Sequence, residues 1–344
     1  MLKIASLSII FAVIFAIACQ HEVTSGGDEK EIVVIADSLD YRFLQNELSH
    51  TFEREIPTPW PEKIFELNRV PVSAMENYLY RPRLLLVGII GSSTPAAAKI
   101  KAMLTPQIET RIMSGENYVF KKDDPWAKGQ RLLVLTATDL DTLKQRLAEN
   151  RDALFDLFNQ PLLERTKKEM YSLYEQKELA KTLLEKYSWT LRIQHDYQIY
   201  KEFPNEHFVM LRRAYPERWF FVSWQRLDDP SQITLDWVVG WRNQIGAQFY
   251  EKDRVAPVDL TASEVEFAGR RALQVQGLWE NDTKVAGGPF KAWAFYDEYT
   301  RKAFLVDIAV FVPGQEKVKH MRQLEIMART FHTQHDTVTN GEVD

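Results

Sequence analysis

Only one cysteine, Cys19, occurs in the 344 residues, so no internal disulfide can form and stability must come from packing. There is no basic run, and the formal net charge is −5. That balance excludes the positive footprint by which a protein neutralises phosphates, and nucleic acid is not an expected partner. No loop cradles phosphate: Gly287-Gly288-Pro289-Phe290 lacks the lysine of a P-loop and reads as a turn. No serine has the flanking glycines of a nucleophile elbow, and Gly91-Ser92-Ser93 reads as a turn or helix cap. The histidines are His21, His50, His195, His207, His320, His332 and His335. Only His332 and His335 have ligand-like spacing, and they fall short of the three or four ordered ligands a metal site needs. His195-Asp196 and Glu206-His207 read as surface pairs, and Asp228-Asp229 before Pro230 as a cap. Neither metal nor cofactor is expected, and the catalytic residues, if any, are not legible.

Long hydrophobic runs are also missing beyond the first twenty residues. There, Lys3 precedes a stretch of apolar and small residues running to Ala18, followed by Cys19. A positive start, an apolar stretch and small residues at a cut site make a secretory signal. A cysteine in that position marks a bacterial lipoprotein signal, whose thiol is acylated. The run is shorter than the roughly 20 residues needed to span hydrocarbon. A lone thiol in an oxidising compartment is a hazard that acylation removes. Residues 1–18 are therefore expected to be a signal peptide and Cys19 the lipidation site. Their removal takes away one positive charge, Lys3, and leaves −6. Residues 19–31, with Gly26, Gly27, Asp28, Glu29 and Glu31, read as an acidic tether. Gln20, not an acidic residue, follows the cysteine, which by analogy with other bacteria favours the outer membrane.

The full sequence is 45% hydrophobic and 12% aromatic, enough for a sizeable core and unlike a disordered protein. Residues 32–138 carry short β-branched or leucine-rich strands (32–35, 84–90, 132–136), a helix over 39–54 behind Asp37 or Ser38, and a hairpin about the turn 123–130. They are expected to form an α/β domain. A Glu-, Lys- and Leu-rich helical connector follows over 139–187, opened by Asp139 and broken near Gln160-Pro161. Residues 188–332 contain long strands, a helix over 232–250 and a last helix over 316–331. This predicts a mainly antiparallel sheet covered by helices, and an α+β protein of two α/β halves. Residues 333–344 read as a loose tail. Both halves end in an apolar strand followed by a helix, which admits a divergent duplication.

Aromatic residues concentrate in the second half. Trp219, Trp224, Trp241, Trp279 and Trp293 are the candidate binding residues, since aromatic faces stack on sugars, peptides and lipids. The alternative is core packing, which fits Trp219 and Phe221, and the alternation of Trp293 and Phe295, on an inward strand face.

The arrangement of the second half is similar to PsbP-like folds, a likeness of architecture that implies no function. Five segments resemble a family of uncharacterised lipoproteins of Bacteroidota. They are Asp123-Asp124-Pro125-Trp126-Ala127-x-Gly129-Gln130, Arg270-Arg271, Gly277-x-Trp279, Gly287-Gly288-Pro289-Phe290 and Val312-Pro313-Gly314. The resemblance spans nearly the whole mature chain and implies an envelope location and a two-part architecture, without a reaction. The expectation is an envelope lipoprotein, held to the membrane by its N-terminal lipid, that binds or scaffolds an envelope protein or glycan. An envelope hydrolase acting on glycan or peptide is the alternative. A third reading is an assembly subunit held through the helical segment 140–186.

Overall fold

The computed structural model describes residues 23–281 and 283–336. The lipidation site expected at Cys19 lies outside them. The first domain begins with β1 (Glu31–Ala36), α1 (Ser38–Phe52), a small hairpin of β2 (Glu55–Ile56) and β3 (Glu62–Lys63), β4 (Glu66–Val70) and β5 (Arg83–Val87). It continues through α2 (Pro95–Met103), α3 (Pro106–Met113), the expected hairpin of β6 (Val119–Asp123) and β7 (Arg131–Leu135), then α4 (Leu140–Glu149) and α5 (Arg151–Met170). The sheet order is β4-β1-β5-β7-β6, with β6 antiparallel and the rest parallel. β1, β5 and β7 read as unbroken apolar runs because both faces of the sheet are covered. Leu44, Leu48, Leu143 and Phe158 of α1, α4 and α5 pack on one face, and Ile100 of α2 with Met75 on the other.

The helices α4 and α5 therefore complete the first core and do not form a separate connector over 139–187. The chain crosses to the second domain only after Met170. Pro161 does not break α5. Its missing N–H frees the carbonyl of Leu157, one turn back, and the Arg131 guanidinium of β7 donates to that oxygen at 2.6 Å. The orphan acceptor is satisfied from the sheet, so the helix runs through.

The second domain opens with α6 (Lys177–Tyr187), whose Leu183 is fully buried in its core, and β8 (Trp189–Thr190). Then come β9 (Gln198–Phe203), β10 (Phe208–Arg213), β11 (Glu217–Arg226), α7 (Leu235–Phe249), β12 (Arg254–Val255), β13 (Thr261–Phe267), β14 (Arg270–Asn281) and β15 (Ala286–Asp297). The domain closes with β16 (Lys302–Phe311), α8 (Val318–Ala328) and β17 (His332–Thr333). Eight strands form an antiparallel sheet of order β12-β14-β15-β16-β11-β10-β9, with β13 also on β14. The whole is an α+β protein. A mostly parallel sheet in one half and an antiparallel one in the other rule out two copies of one topology.

Period-two alternation sorts the second sheet's side chains between two helix layers. Phe220, Val222, Trp224, Trp293 and Phe295 face α6 and α8; Phe221, Trp279, Phe290 and Leu305 face α7. The expected single inward face is thus two, which is why almost every residue of β16 is buried. Gly287 and Gly288 open β15 and do not make a turn. A Cβ on Gly288 would lie 2.1 Å from the Val310 carbonyl oxygen and 3.1 Å from the Trp279 indole nitrogen. Glycine is what lets the Trp279 ring lie across the neighbouring strand, where its N–H donates to Val310 O at 3.4 Å.

Neither end of the described chain is loose. Residues 23–31, read as tether, are packed on the first domain: Ser25 N–H donates to Lys128 O, Gly26 N–H to Tyr80 O, and Lys128 N–H to Val23 O. Beyond residue 333, Arg270 donates to Asp336 and Asp297, and Thr333 to Asp336, which fastens the segment after β17 to β14 and β15. Between the domains, Lys317 donates to Glu62 at 3.1 Å, Lys30 to Glu316 at 2.9 Å, and Arg322 to Glu29 at 3.3 Å. Among the described residues no helix is long and apolar enough to cross a membrane.

Candidate functional site

A cavity of about 270 Å³ lies between the α7 face of the second sheet and the loop that leaves α7. Its walls are aromatic because odd-numbered residues of β11, β14 and β16 face this way: Trp219, Trp279 and Phe311. Trp219 packs 5.0 Å from Trp279 and 5.5 Å from Tyr250, centroid to centroid, and Trp279 lies 5.9 Å from Phe311. Tyr250, the first residue after α7, enters because the loop 251–255 folds back on the helix. The Val255 N–H donates to the Asn243 side chain at 2.8 Å and fixes that return. Tyr200 stands at the mouth, half exposed, with the Arg212 guanidinium 4.5 Å over its ring.

The polar groups of the cavity are partly committed to one another. Glu217 accepts from Arg212 at 2.7 Å and from the Trp219 indole at 2.9 Å. Asn281 donates to Asp253 at 2.6 Å. Lys284 pairs with Glu251, and Lys201 donates to the Phe249 carbonyl. Two of the residues that line the cavity carry a buried side-chain atom with no protein partner, the Tyr250 hydroxyl and Arg212 Nε. Buried donors without partners are uncommon in native folds and call for a physical explanation. Burial pushes the Tyr250 hydroxyl well up from its ordinary value, and the nearby Asp307 carboxylate adds to this. It therefore stays protonated and can donate. Burial also raises Asp253, against the hydrogen bond from Asn281 and the pull of Arg242.

Behind this cavity the Arg242–Asp307 pair lies on the sheet. Arg242 of α7 donates to Asp307 of β16 at 2.8 Å, and its guanidinium stacks 3.9 Å over Phe290. Both side chains are less than a tenth exposed. Burial drives Asp307 up to about 6 in spite of the arginine. A smaller, separate gap beside the pair is lined by Arg242 and Asp307 and shares Trp219, Tyr250 and Asp253 with the cavity.

Of the five candidate tryptophans, Trp219 and Trp279 meet at the cavity. Trp241 packs under α7 against Trp237, ring centroids 4.9 Å apart. Trp224 and Trp293 lie on the opposite face of the sheet in its core, Trp293 stacked on Phe267 at 4.8 Å. Tyr250, Arg212, Asp253 and Asn281 went unnoticed in the sequence. One signal was there to be read: Asp307 is a lone carboxylate inside the apolar run 303–312, where a buried charge demands a partner. A second, larger cavity of about 1020 Å³ lies by Arg270, Asp297, Tyr299 and Asp336. Arg270, Asp297 and Asp336 there fasten residues 332–336, and Arg271 pairs with Glu264 at 2.6 Å. Among the described residues no three metal-ligating side chains converge.

Residues 176–330, which contain the site, match the family model described as a domain of unknown function (DUF4837), and residues 25–171 match another so described (DUF8532). The chain thus carries two domains of unknown function. The two matches cover nearly the whole chain, and the gap between them, residues 172–175, falls where α5 gives way to α6. The cavity is thus a feature of the DUF4837 domain. No curated protein matches. Among solved structures, one from Bacteroides thetaiotaomicron VPI-5482 is 10% identical, covering 42% of this chain and 45% of that one, with a TM-score of 0.28. The Saccharomyces cerevisiae Ran-binding protein Mog1p is 11% identical over 43% of this chain and 90% of its own, with a TM-score of 0.30. LpqN, involved in cell envelope biogenesis of Mycobacterium tuberculosis, is 12% identical over 42% and 81%, with a TM-score of 0.29.

Proposed function

We propose that this chain is a lipid-anchored cell-envelope protein of the binding or scaffolding kind, and that its DUF4837 domain takes a small glycan fragment in the Trp219–Trp279–Tyr250 cavity. The observation that carries the reading is an aromatic-walled cavity two of whose lining residues hold buried, unpartnered donors, Tyr250 Oη and Arg212 Nε. A sugar ring answers both features. Its C–H face packs on indole or phenol, and its hydroxyls accept from the two donors. Cavities for drug-sized ligands run to about 300–1,000 Å³; at about 270 Å³ this one fits one or two sugar rings. The anchor reading rests on the signal order and on Cys19 being the only thiol.

Calorimetric titration of the mature protein with soluble peptidoglycan and lipopolysaccharide saccharides tests the binding reading. Saturable binding is expected, weakened by Trp219→Ala and by Tyr250→Phe; binding unaffected by both substitutions would overturn it. Cys19→Ser tests the anchor: the protein should move from the membrane fraction to the soluble periplasm. The hydrolase reading has one observation in its favour, the raised carboxyl of Asp253 beside the cavity. Release of new reducing ends from a glycan, lost in Asp253→Asn, would select it.

A further inference from the structure

The segment Asp124–Gln130 is built as a receptor for the start of the described chain. Asp124 Oδ1 accepts from the Gly129 and Gln130 N–H groups at 2.7 and 3.1 Å, which closes the loop. The buried Gln130 amide then donates to the carbonyls of Leu79 and Arg81, both at 2.6 Å, and accepts from the Trp126 N–H. This bolts the loop to the segment before β5. Into the seam lie residues 23–27. Thr24 bridges Lys128 in parallel, the Ser25 N–H donates to Lys128 O at 3.0 Å, and the Gly26 N–H donates to Tyr80 O at 3.0 Å. Gly27 has φ +133°, and a Cβ there would lie 2.3 Å from the Arg81 guanidinium. Gly27, which reads as slack in a tether, is thus shaped to a surface.

We propose that the Asp124–Gln130 loop is a clasp for the membrane tether, holding the corner of the first domain that carries Tyr80 and Lys128 against the lipid headgroup surface. This rests on the anchor at Cys19. The argument is one of reach. An extended chain spans at most about 3.6 Å per residue, so the four steps from Cys19 to Val23 bridge no more than about 14 Å. Without the clasp, the free chain to Lys30 would span about 40 Å on the same measure. The clasped corner lies at the amino ends of the parallel strands, beside Arg83 and Arg131. The loop after β5, with exposed Ser93, lies at their carboxyl ends and faces away from the bilayer.

Acylation uses the only native thiol, so a second cysteine can be labelled alone. In acylated full-length protein on vesicles of anionic phospholipid, a fluorophore at Tyr80→Cys should be quenched by a headgroup-bound quencher several times more than one at Ser93→Cys. Adding Gly27→Val should erase the difference. Hydrogen exchange gives a readout independent of lipid: the Ser25 and Gly26 amides should be protected in the wild-type chain and lose protection in Gly27→Val. Protein that fails to float with vesicles overturns the anchor, and the orientation with it. Protein that floats with equal quenching at the two positions, or whose Ser25 and Gly26 amides exchange as in a free peptide, overturns the clasp alone.

Discussion

Adding one methyl group to Gly288 should cost the second domain a large part of its stability. The Cβ of Gly288→Ala would sit 2.1 Å from the Val310 carbonyl oxygen, more than 1 Å inside van der Waals contact as marked by about 3.5 Å between heavy atoms. Neither partner can yield cheaply, since β15 and β16 are central strands hydrogen-bonded on both sides. Overpacking of this kind costs about 1–3 kcal/mol or more. The displaced Trp279 indole would also lose its bond to Val310 O, about 1 kcal/mol if the donor finds no other partner. A total of about 3 kcal/mol, divided by a urea slope of about 2 kcal/mol/M, moves the unfolding midpoint down by about 1.5 M. Gly240→Ala is the matched control. Gly240 is exposed in the interior of α7 with open space where its Cβ would go, so the same substitution should stabilise by up to about 1 kcal/mol. Urea titration followed by tryptophan fluorescence reads both. A Gly288→Ala midpoint equal to wild type would refute the packing argument.

Other perturbations separate the two sheet faces, the helix and the titrating groups. Trp293→Ala removes a fully buried ring and should cost about 3–5 kcal/mol by the same urea assay, while Trp219→Ala should cost less and act chiefly on ligand binding. Arg131→Met strands the Leu157 carbonyl and should destabilise the first domain by about 1–3 kcal/mol; in a Pro161→Ala background, where the helix supplies an N–H, a double-mutant cycle should show a smaller cost. Burial, Arg218 and Arg213 hold His320 down to about 4, so its neutral form favours the fold and stability is lost as pH falls from about 6.5 to 4. Asp307, raised to about 6 by burial, acts in the opposite sense: its contribution is present below about 4 and lost as pH rises through 6. The two should offset between pH 4 and 6.5, and Asp307→Asn should unmask a loss toward acid in pH-dependent melting. Lys291 and Arg329 overcome burial to hold Glu325 down to about 2, so further stability should go as pH falls from 4.5 toward 2.

Much of the fold was legible where one physical signal dominates. The apolar runs 32–35, 84–87 and 132–135 are strands buried on both faces, and Asp139 caps α4 through the Thr142 N–H as its position implied. Boundaries set by tertiary contacts were not legible. Nothing near Pro161 in the sequence says that Arg131 will satisfy the freed carbonyl, and nothing in Gly287-Gly288 distinguishes a turn from a strand that must admit an indole. The tether misled for a similar reason: small and acidic residues read as unpacked, yet Gly27 and Asp28 are fitted to Arg81 and Arg83. Asp37 stands at the N-cap of α1 as expected, but its carboxylate accepts from the Ala96 N–H of α2. The aromatic cluster was visible, and its division was not. Odd and even positions carry similar rings, and only the placement of α7 opposite α6 and α8 decides which ring borders a cavity.

The most direct measurement is the nitrogen–proton spectrum of the tryptophan indoles, recorded as the mature protein is titrated with an envelope disaccharide. The Trp219 and Trp279 indole signals should shift with one saturating curve, while those of Trp224 and Trp293, on the far face of the sheet, stay in place. Absence of any shift across the saccharide panel, or an equal shift at all four, would contradict a glycan site in this cavity.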